Sequence, residues 1–509
     1  MMSRPVSERR GNLSGLAGSY GRRTIAGMAT PFDRKHRIVV VGGGPGGYEA
    51  ALSAARLGAE VTLIERVGVG GSAVLTDVVP SKTLIASAEA ATAIRESGEL
   101  GVQFFAKGDT GKPLKPEVAV NLSKLNKRLL RLAQNQSDDM QRTLEAAGVN
   151  VIQGEGKLDG NSAVTVGTGS GGQDFDRIEF DSAVISVGAR PRTLDSCKPD
   201  GERILTWTQL YNLKEMPSHL IVVGSGVTGA EFASAYSALG SKVTLVSSRD
   251  RVLPNEDADA ADVIEDVFKR GGMTVLSKSR AATVVRDGNE VVATLDDGRE
   301  VRGSHCLIAV GSIPNTSGIG LEEAGVEVSP SGHIRVNRVA RTSVPNIYAA
   351  GDCTEFFPLA SVASTQGRTA VFHALGDEVR PINLRNVASN IFTYPEIATV
   401  GWQQRSIEDG TREGRVYKLP LGENPRAKMQ GVRDGFVKLI AGNDLGTVIG
   451  GVIVAPRASE LVLPLSIAIE QRLTVDQVAR AWAVYPSLAS SISDAARAMH
   501  MPYEEQTKA

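Results

Sequence analysis

One segment occurs twice, and that duplication leaves few folds open. RIVVVGGGPGGYEAALSAARLGAEVTLIE, Arg37 to Glu65, recurs as HLIVVGSGVTGAEFASAYSALGSKVTLVS, His219 to Ser247. Each copy reads as a short apolar strand, a glycine turn, an alanine-rich helix and a second strand. That is a βαβ unit opening on GxGxxG. The glycines have separable jobs: Gly42 and Gly224 allow the tight turn, and Gly44 and Gly226 let the backbone approach a pyrophosphate. Gly47 and Gly229 let the helix pack closely on the strand. The helix N-terminus then offers free N–H groups and a positive dipole to the anion. A lone GxGxxG is weak, because an ordinary glycine-rich turn can carry it. Two in full strand–turn–helix context predict an α/β fold with two dinucleotide sites.

The ends of the second strands assign the ligands. Glu65 closes the first copy, and its carboxylate can accept hydrogen bonds from a ribose with free hydroxyls. The second copy ends in Ser247, Ser248 and Arg249, with no acid to repel a 2′-phosphate. FAD or NAD is expected at the first site, and NADPH with NADH tolerated at the second. The alternative for Arg249 is a solvated surface charge. NIYAAGDC, Asn346 to Cys353, reads as a strand ending in Gly351 and Asp352. Returning to the first domain, it would offer a carboxylate to a polyol hydroxyl, and only FAD carries a ribityl chain. VISVGARPR (Val184 to Arg192) and LIAVGSIPNT (Leu307 to Thr316) read as matched crossovers between domains, with Gly311 of the second counted among the cofactor-binding positions.

These motifs, with the PSK of Pro80 to Lys82 and VGSIPNTSGIGLEEAGV, resemble the flavoprotein disulfide reductase family, and lipoamide dehydrogenase within it. The resemblance covers about residues 36 to 500. It implies two Rossmann-like domains, for FAD and NAD(P), and a C-terminal α+β dimerisation domain. The expected boundaries are an extension over 1–35, an FAD domain in two segments, 36–190 and 309–383, an NAD(P) domain over 191–308 and a dimerisation domain over 384–509. FVKLIAGNDLGTVIGGVIVAPRASELV, Phe436 to Val462, looks like strands and the opening helix of the last. Lys82 matches the family's lysine near flavin N5, and Glu231 the acid that pairs with it. A buried ammonium needs a partner, and a cation near N5 favours reduced flavin.

The dithiol machinery is missing. In GGSAVLTDVVPSK, Gly70 to Lys82, Ala73 and Val78 stand where the family places two cysteines. Neither can replace a thiolate nucleophile. The family's His-Pro and later glutamate correspond to Tyr485 and Ser490 in AVYPSLASSISDAAR, and Asp494 has only a weak claim to the acid's place. An imidazole with a pKa near ~6.5 exchanges protons around neutrality, and a phenol near ~10 mostly does not. Cys197, Cys306 and Cys353 all lie outside the motif and form no CxxC pair, which also argues against a disulfide framework or zinc site.

The first half-reaction remains, with Lys82 and Glu231 ordering the flavin site. The emptied face, lined by Ala73, Val78 and the partner protomer's copy of Tyr485, would form an apolar slot for a flat quinone. There Tyr485 would be a donor, or simply a packed interface tyrosine. The resemblance thus points to a flavin-dependent NAD(P)H dehydrogenase reducing quinones directly, as cysteine-lacking members do. The rivals are a pyridine-nucleotide transhydrogenase and a non-catalytic FAD-binding subunit of a 2-oxoacid dehydrogenase complex. The retained Lys82 and Glu231 weigh against the last.

A net charge of −1 gives no reason to expect a nucleic-acid partner. No apolar run reaches the roughly 18 residues of a spanning helix, and a soluble, cytoplasmic homodimer is expected. The N-terminal 35 residues, Arg- and Ser-rich with no apolar core, lack a secretory signal and read as a disordered extension or as sequence preceding a true start at Met28.

Overall fold

The computed structural model of the chain describes residues 34–105, 111, 113–114, 118–167 and 175–500. The expected extension over 1–35 lies outside them apart from Arg34 and Lys35. In the first copy, strand Arg37–Val41 runs parallel to Glu60–Glu65 on one side and Ser182–Ile185 on the other. Asn150–Gln153 and Ile347–Ala349 complete a five-stranded parallel sheet. The NIYAAGDC strand therefore returns to the first sheet. The second copy builds the same sheet, with His219–Val223 between Lys242–Val246 and His305–Ile308. Thr274–Leu276 and Ile204–Thr206 form its edges. Leu220, Ile221 and Val222 are fully buried, as is Val40 in the first sheet. A sheet covered on both faces needs such an unbroken apolar run rather than alternation.

The duplication extends further than the βαβ unit. Between Asn150–Gln153 and Ser182–Ile185 in the first copy, and between Thr274–Leu276 and His305–Ile308 in the second, sits a three-stranded antiparallel sheet. It is formed by Glu155–Asp159, Ala163–Gly167 and Phe175–Glu179 in the first copy, and by Ala281–Asp287, Glu290–Leu295 and Glu300–Gly303 in the second. The two predicted crossovers pair with each other: Ala189–Pro191 runs antiparallel to Ser312–Pro314. Asn315 ties this ribbon to the first sheet, donating from Nδ2 to the Val187 carbonyl at 3.0 Å.

The C-terminal part is an antiparallel sheet in the order Ser389–Ile391, Glu396–Gly401, Val448–Ala455, Phe436–Ala441, Arg415–Pro420. Helices Leu463–Glu470 and Ser490–Ala498 bury Leu465, Ile492 and Ala495 in the same core as Val437 and Leu439. One charge is buried on the other face of this sheet, beside Phe436. Lys438, in the middle of an otherwise apolar strand, is 1% exposed and donates to both oxygens of Asp257, at 2.7 and 2.8 Å. Asp257 caps helix Ala258–Arg270 of the second nucleotide unit, so a buried ion pair holds that unit to the C-terminal sheet.

Candidate functional site

Each glycine turn is closed everywhere except where a ligand must come. A Cβ on Gly42, whose φ is +97°, would stand 2.3 Å from the Ser186 carbonyl oxygen, and one on Gly47 would stand 1.8 Å from that of Gly42. A Cβ on Gly44 would meet nothing within 4 Å. The second copy repeats this: Gly224 and Gly229 have no room, at 2.2 and 1.8 Å, and Gly226 faces open space. Helices Pro45–Arg56 and Val227–Leu239 begin at Gly44 and Gly226 with no side-chain cap, leaving their first N–H groups to an anion. The cleft at the first turn therefore has the shape and polarity that a pyrophosphate needs.

Glu65 lies at the end of its strand, accepting from the N–H groups of Gly43 at 2.6 Å and Val67 at 2.7 Å. Asp352 follows the return strand, in a turn fixed by Gly351 N–H donating to the buried Gln366 side chain at 2.8 Å. Burial holds the Asp352 carboxyl above the usual carboxylate range, opposed by His333. Gly311, with φ of +100°, lies beside the ribbon, its carbonyl accepting from Arg192 N–H at 2.9 Å.

Lys82 and Glu231 meet, although 149 residues separate them. Lys82 lies on helix Val78–Glu96 and Glu231 on the second-copy helix Val227–Leu239, and Nζ donates to Oε2 at 2.8 Å. The other oxygen of Glu231 accepts from Phe392 N–H at 2.9 Å, and the Lys82 ammonium lies 4.7 Å from the centre of the Phe392 ring. Glu231 is 5% exposed, so both of its oxygens are satisfied inside the protein. The node joins both nucleotide units and the C-terminal sheet. Phe392 carries no sequence signal, because its main contribution is a backbone N–H.

GGSAVLTDVVPSK packs against the first cleft. Gly70 N–H donates to the Gly43 carbonyl at 2.7 Å, and a Cβ on Gly71 would touch Gly44 Cα at 2.9 Å. Ala73 is on the short helix Gly71–Leu75, and Val78 opens the next helix, partly exposed. Cys197, Cys306 and Cys353 are free and buried. Burial drives the Cys306 thiol upward and the Cys353 thiol up to about 12, so neither supplies a thiolate near neutrality. Among the described residues no group of His, Cys, Asp and Glu could hold a metal ion.

At the second site the three residues that end the strand are placed differently. Ser247 is fully buried, and its hydroxyl bonds Ser225 inside the glycine turn at 2.7 Å, so it is not available to a nucleotide. Ser248 and Arg249 instead line a cleft of about 470 Å³, together with Lys278 and Arg280. The two further cations follow the neighbouring strand Thr274–Leu276, and Lys278 N–H donates to the Arg249 carbonyl at 2.7 Å. Parallel pairing of Val246 with Leu276 brings the charges together. Asp296 and Asp297 line the same cleft.

Tyr485 stands apart from the Lys82 node within this chain, 77% exposed, with Trp482 and Val484 also exposed beside it. Ser490 opens helix Ser490–Ala498 and donates to the Ser487 carbonyl at 2.8 Å, while Asp494 pairs with Arg497. No acid–base pair is formed at Tyr485 and Ser490. Among the described residues no helix is long and apolar enough to cross a membrane.

Residues 36–367 match the family model described as pyridine nucleotide-disulphide oxidoreductase, and residues 387–496 match that family's dimerisation domain. An NAD(P)H dehydrogenase (quinone) of Mycobacterium tuberculosis is 50% identical over 91% of this chain and 93% of its own. A dihydrolipoyl dehydrogenase of Zymomonas mobilis is 31% identical over 93% of this chain and 99% of its own. The crystal structure of LpdA from Mycobacterium tuberculosis superposes with a TM-score of 0.86 at 48% identity, covering 92% of this chain and all of that one.

Proposed function

The chain belongs to the pyridine nucleotide-disulphide oxidoreductase family, and we propose that it is an FAD-dependent NAD(P)H dehydrogenase that reduces a quinone directly, without a redox-active disulfide. One observation carries this reading: the Lys82–Glu231 node is intact where the thiols and their acid–base pair are absent. The relative named as a quinone dehydrogenase, alike over nearly the whole chain, supports it. Turnover of NADPH with menadione and none with lipoamide is the expected outcome.

The Gly42–Gly47 turn, Glu65 and Asp352 would hold FAD, which supplies a centre able to take two electrons from a nicotinamide and release them to an acceptor. Lys82 places a positive charge in the site. Glu231 fixes that charge and, through Phe392, fixes the helix bearing the second glycine turn. Ala73 and Val78 leave one face without sulfur for the acceptor to approach. The family's dimerisation domain supports a homodimer. In this reading Tyr485 from the second copy reaches this face, and the enzyme works in the cytoplasm.

NADPH is the preferred nucleotide in this reading, because the strand itself ends without an acid and three cations, Arg249, Lys278 and Arg280, line the cleft there against two carboxylates, Asp296 and Asp297. Charge-assisted hydrogen bonds to phosphate are worth about 1.5–3 kcal/mol each, or roughly 10- to 100-fold. Arg249→Glu is therefore expected to lower kcat/KM for NADPH by about 10- to 100-fold. The value for NADH should move no more than roughly threefold. Equal losses for both nucleotides would remove the assignment.

A further inference from the structure

Asp77 occupies the turn between Ala73 and Val78, immediately before helix Val78–Glu96. An aspartate in that position normally caps the helix by accepting from its first N–H groups. This one does not. Its backbone, at φ −130° and ψ −89°, makes no side-chain cap, and only its main chain is engaged: N–H to the Ser72 carbonyl and carbonyl from Ser81 N–H, both at 2.8 Å. Among the described residues no hydrogen bond reaches the carboxylate itself. The carboxyl is half-buried and has no donor, and such groups in native proteins mark a place where something else binds or reacts.

We propose that Asp77 is the acid that delivers the second proton to the quinone, which makes it a catalytic residue alongside the Lys82 node. This rests on the quinone reading above. The quinone takes up two electrons and two protons to become the hydroquinone. Both electrons and one proton arrive as the hydride equivalent that the nicotinamide gives up by way of the flavin, leaving the nicotinamide oxidised. The second proton leaves the Asp77 carboxyl for the other quinone oxygen, and the carboxylate regains it from water.

Three features suit Asp77 to this work. Its place between Ala73 and Val78 puts a carboxyl in the segment that packs on the first glycine turn, flanked by the two positions the family fills with cysteine. The charges that bear on it come from three elements: Lys82 of its own helix, Glu231 of the second-copy helix, and Asp352 after the return strand. The buried Tyr211 phenol is the neutral titratable neighbour. Burial is the largest influence and, with the two acids, outweighs Lys82, so the carboxyl is pushed up to about 6. Such a group holds its proton well above the range of an ordinary aspartate, yet gives it up far more readily than an ordinary phenol.

The test mixes pre-reduced holoenzyme with menadione, or with ferricyanide, which takes electrons and no proton, across pH 5 to 9. Flavin reoxidation by menadione is expected to fall about tenfold for each pH unit above 7, as the acid form disappears. Asp77→Asn should slow it by about 100-fold at pH 6 and abolish the inflection. Ferricyanide rates should stay within about twofold, and Asp77→Glu should keep the inflection. Independently of turnover, infrared difference spectra of the wild type should show a carboxylic C=O band titrating near pH 6 that Asp77→Asn lacks. The assignment is overturned if Asp77→Asn reduces menadione with the wild-type rate and pH profile, or if the band persists in it. Wild-type enzyme that reduces ferricyanide but not menadione would instead refute the quinone reading, and this step with it.

Discussion

Gly47→Ala is expected to give a chain that binds little or no FAD, and Gly229→Ala one that retains FAD but is reduced by NADPH at least about 100-fold more slowly. The same collision in two places produces two different phenotypes. In each case the new methyl group would stand 1.8 Å from a carbonyl oxygen of the same glycine turn. The obstacle is backbone, so no rotamer change relieves it, and the turn must open or the helix must shift off its strand. Overpacking of this kind costs about 1–3 kcal/mol even where the surroundings yield, which is about 10- to 100-fold in an equilibrium. Here it falls on the N–H groups meant for the pyrophosphate. Released flavin per polypeptide, and stopped-flow reduction of what remains bound, read the two effects separately. Identical phenotypes would mean that the copies do not divide the two nucleotides as assigned.

Glu231→Ala should have the second large effect. It removes the anionic partner of the Lys82 ammonium and the acceptor for Phe392 N–H in one step. Breaking a buried pair from one side costs about 3–5 kcal/mol, because the remaining charge stays withdrawn without compensation. Lys82 retains some exposure, which places the loss toward the lower end. Flavin reduction by NADPH should slow by at least about 100-fold, since the ammonium is no longer fixed where charge develops. Glu231→Gln keeps an acceptor for Phe392 and loses only the charge, so it should recover most of the stability and little of the rate. Thermal unfolding midpoints and single-turnover reduction separate the two. A glutamine variant with wild-type reduction kinetics would show that the pair serves structure alone.

The parts of this molecule set by local chemistry were readable from the sequence. Glycine spacing inside a strand–turn–helix pattern is dictated by sterics within some thirty residues, and both copies folded as that pattern demands. The pairing of Lys82 with Glu231 came from family resemblance, since nothing local connects two residues 149 apart. What the sequence hid depends on packing. Ser247 looks like a ligand at a strand end until the fold turns its hydroxyl inward to Ser225. Lys278 and Arg280 became neighbours of Arg249 only through the register of the adjacent strand. Lys438, inside the apolar run FVKLIA, gave no hint that its partner Asp257 caps a helix of another unit. The antiparallel insertions repeat in structure but not in recognisable sequence, because a polar-faced sheet constrains only an alternation. Asp77 lies between the two emptied cysteine positions, and only its uncapped helix start and its neighbours in the fold mark it out.

The central claim is that electrons leave the flavin for a quinone with no disulfide between them. It is tested most directly by steady-state NADPH oxidation with menadione, lipoamide and an aromatic disulfide as parallel acceptors. Turnover with menadione is expected, with rates for both disulfides indistinguishable from the acceptor-free blank. Lipoamide turnover above that blank would contradict the account.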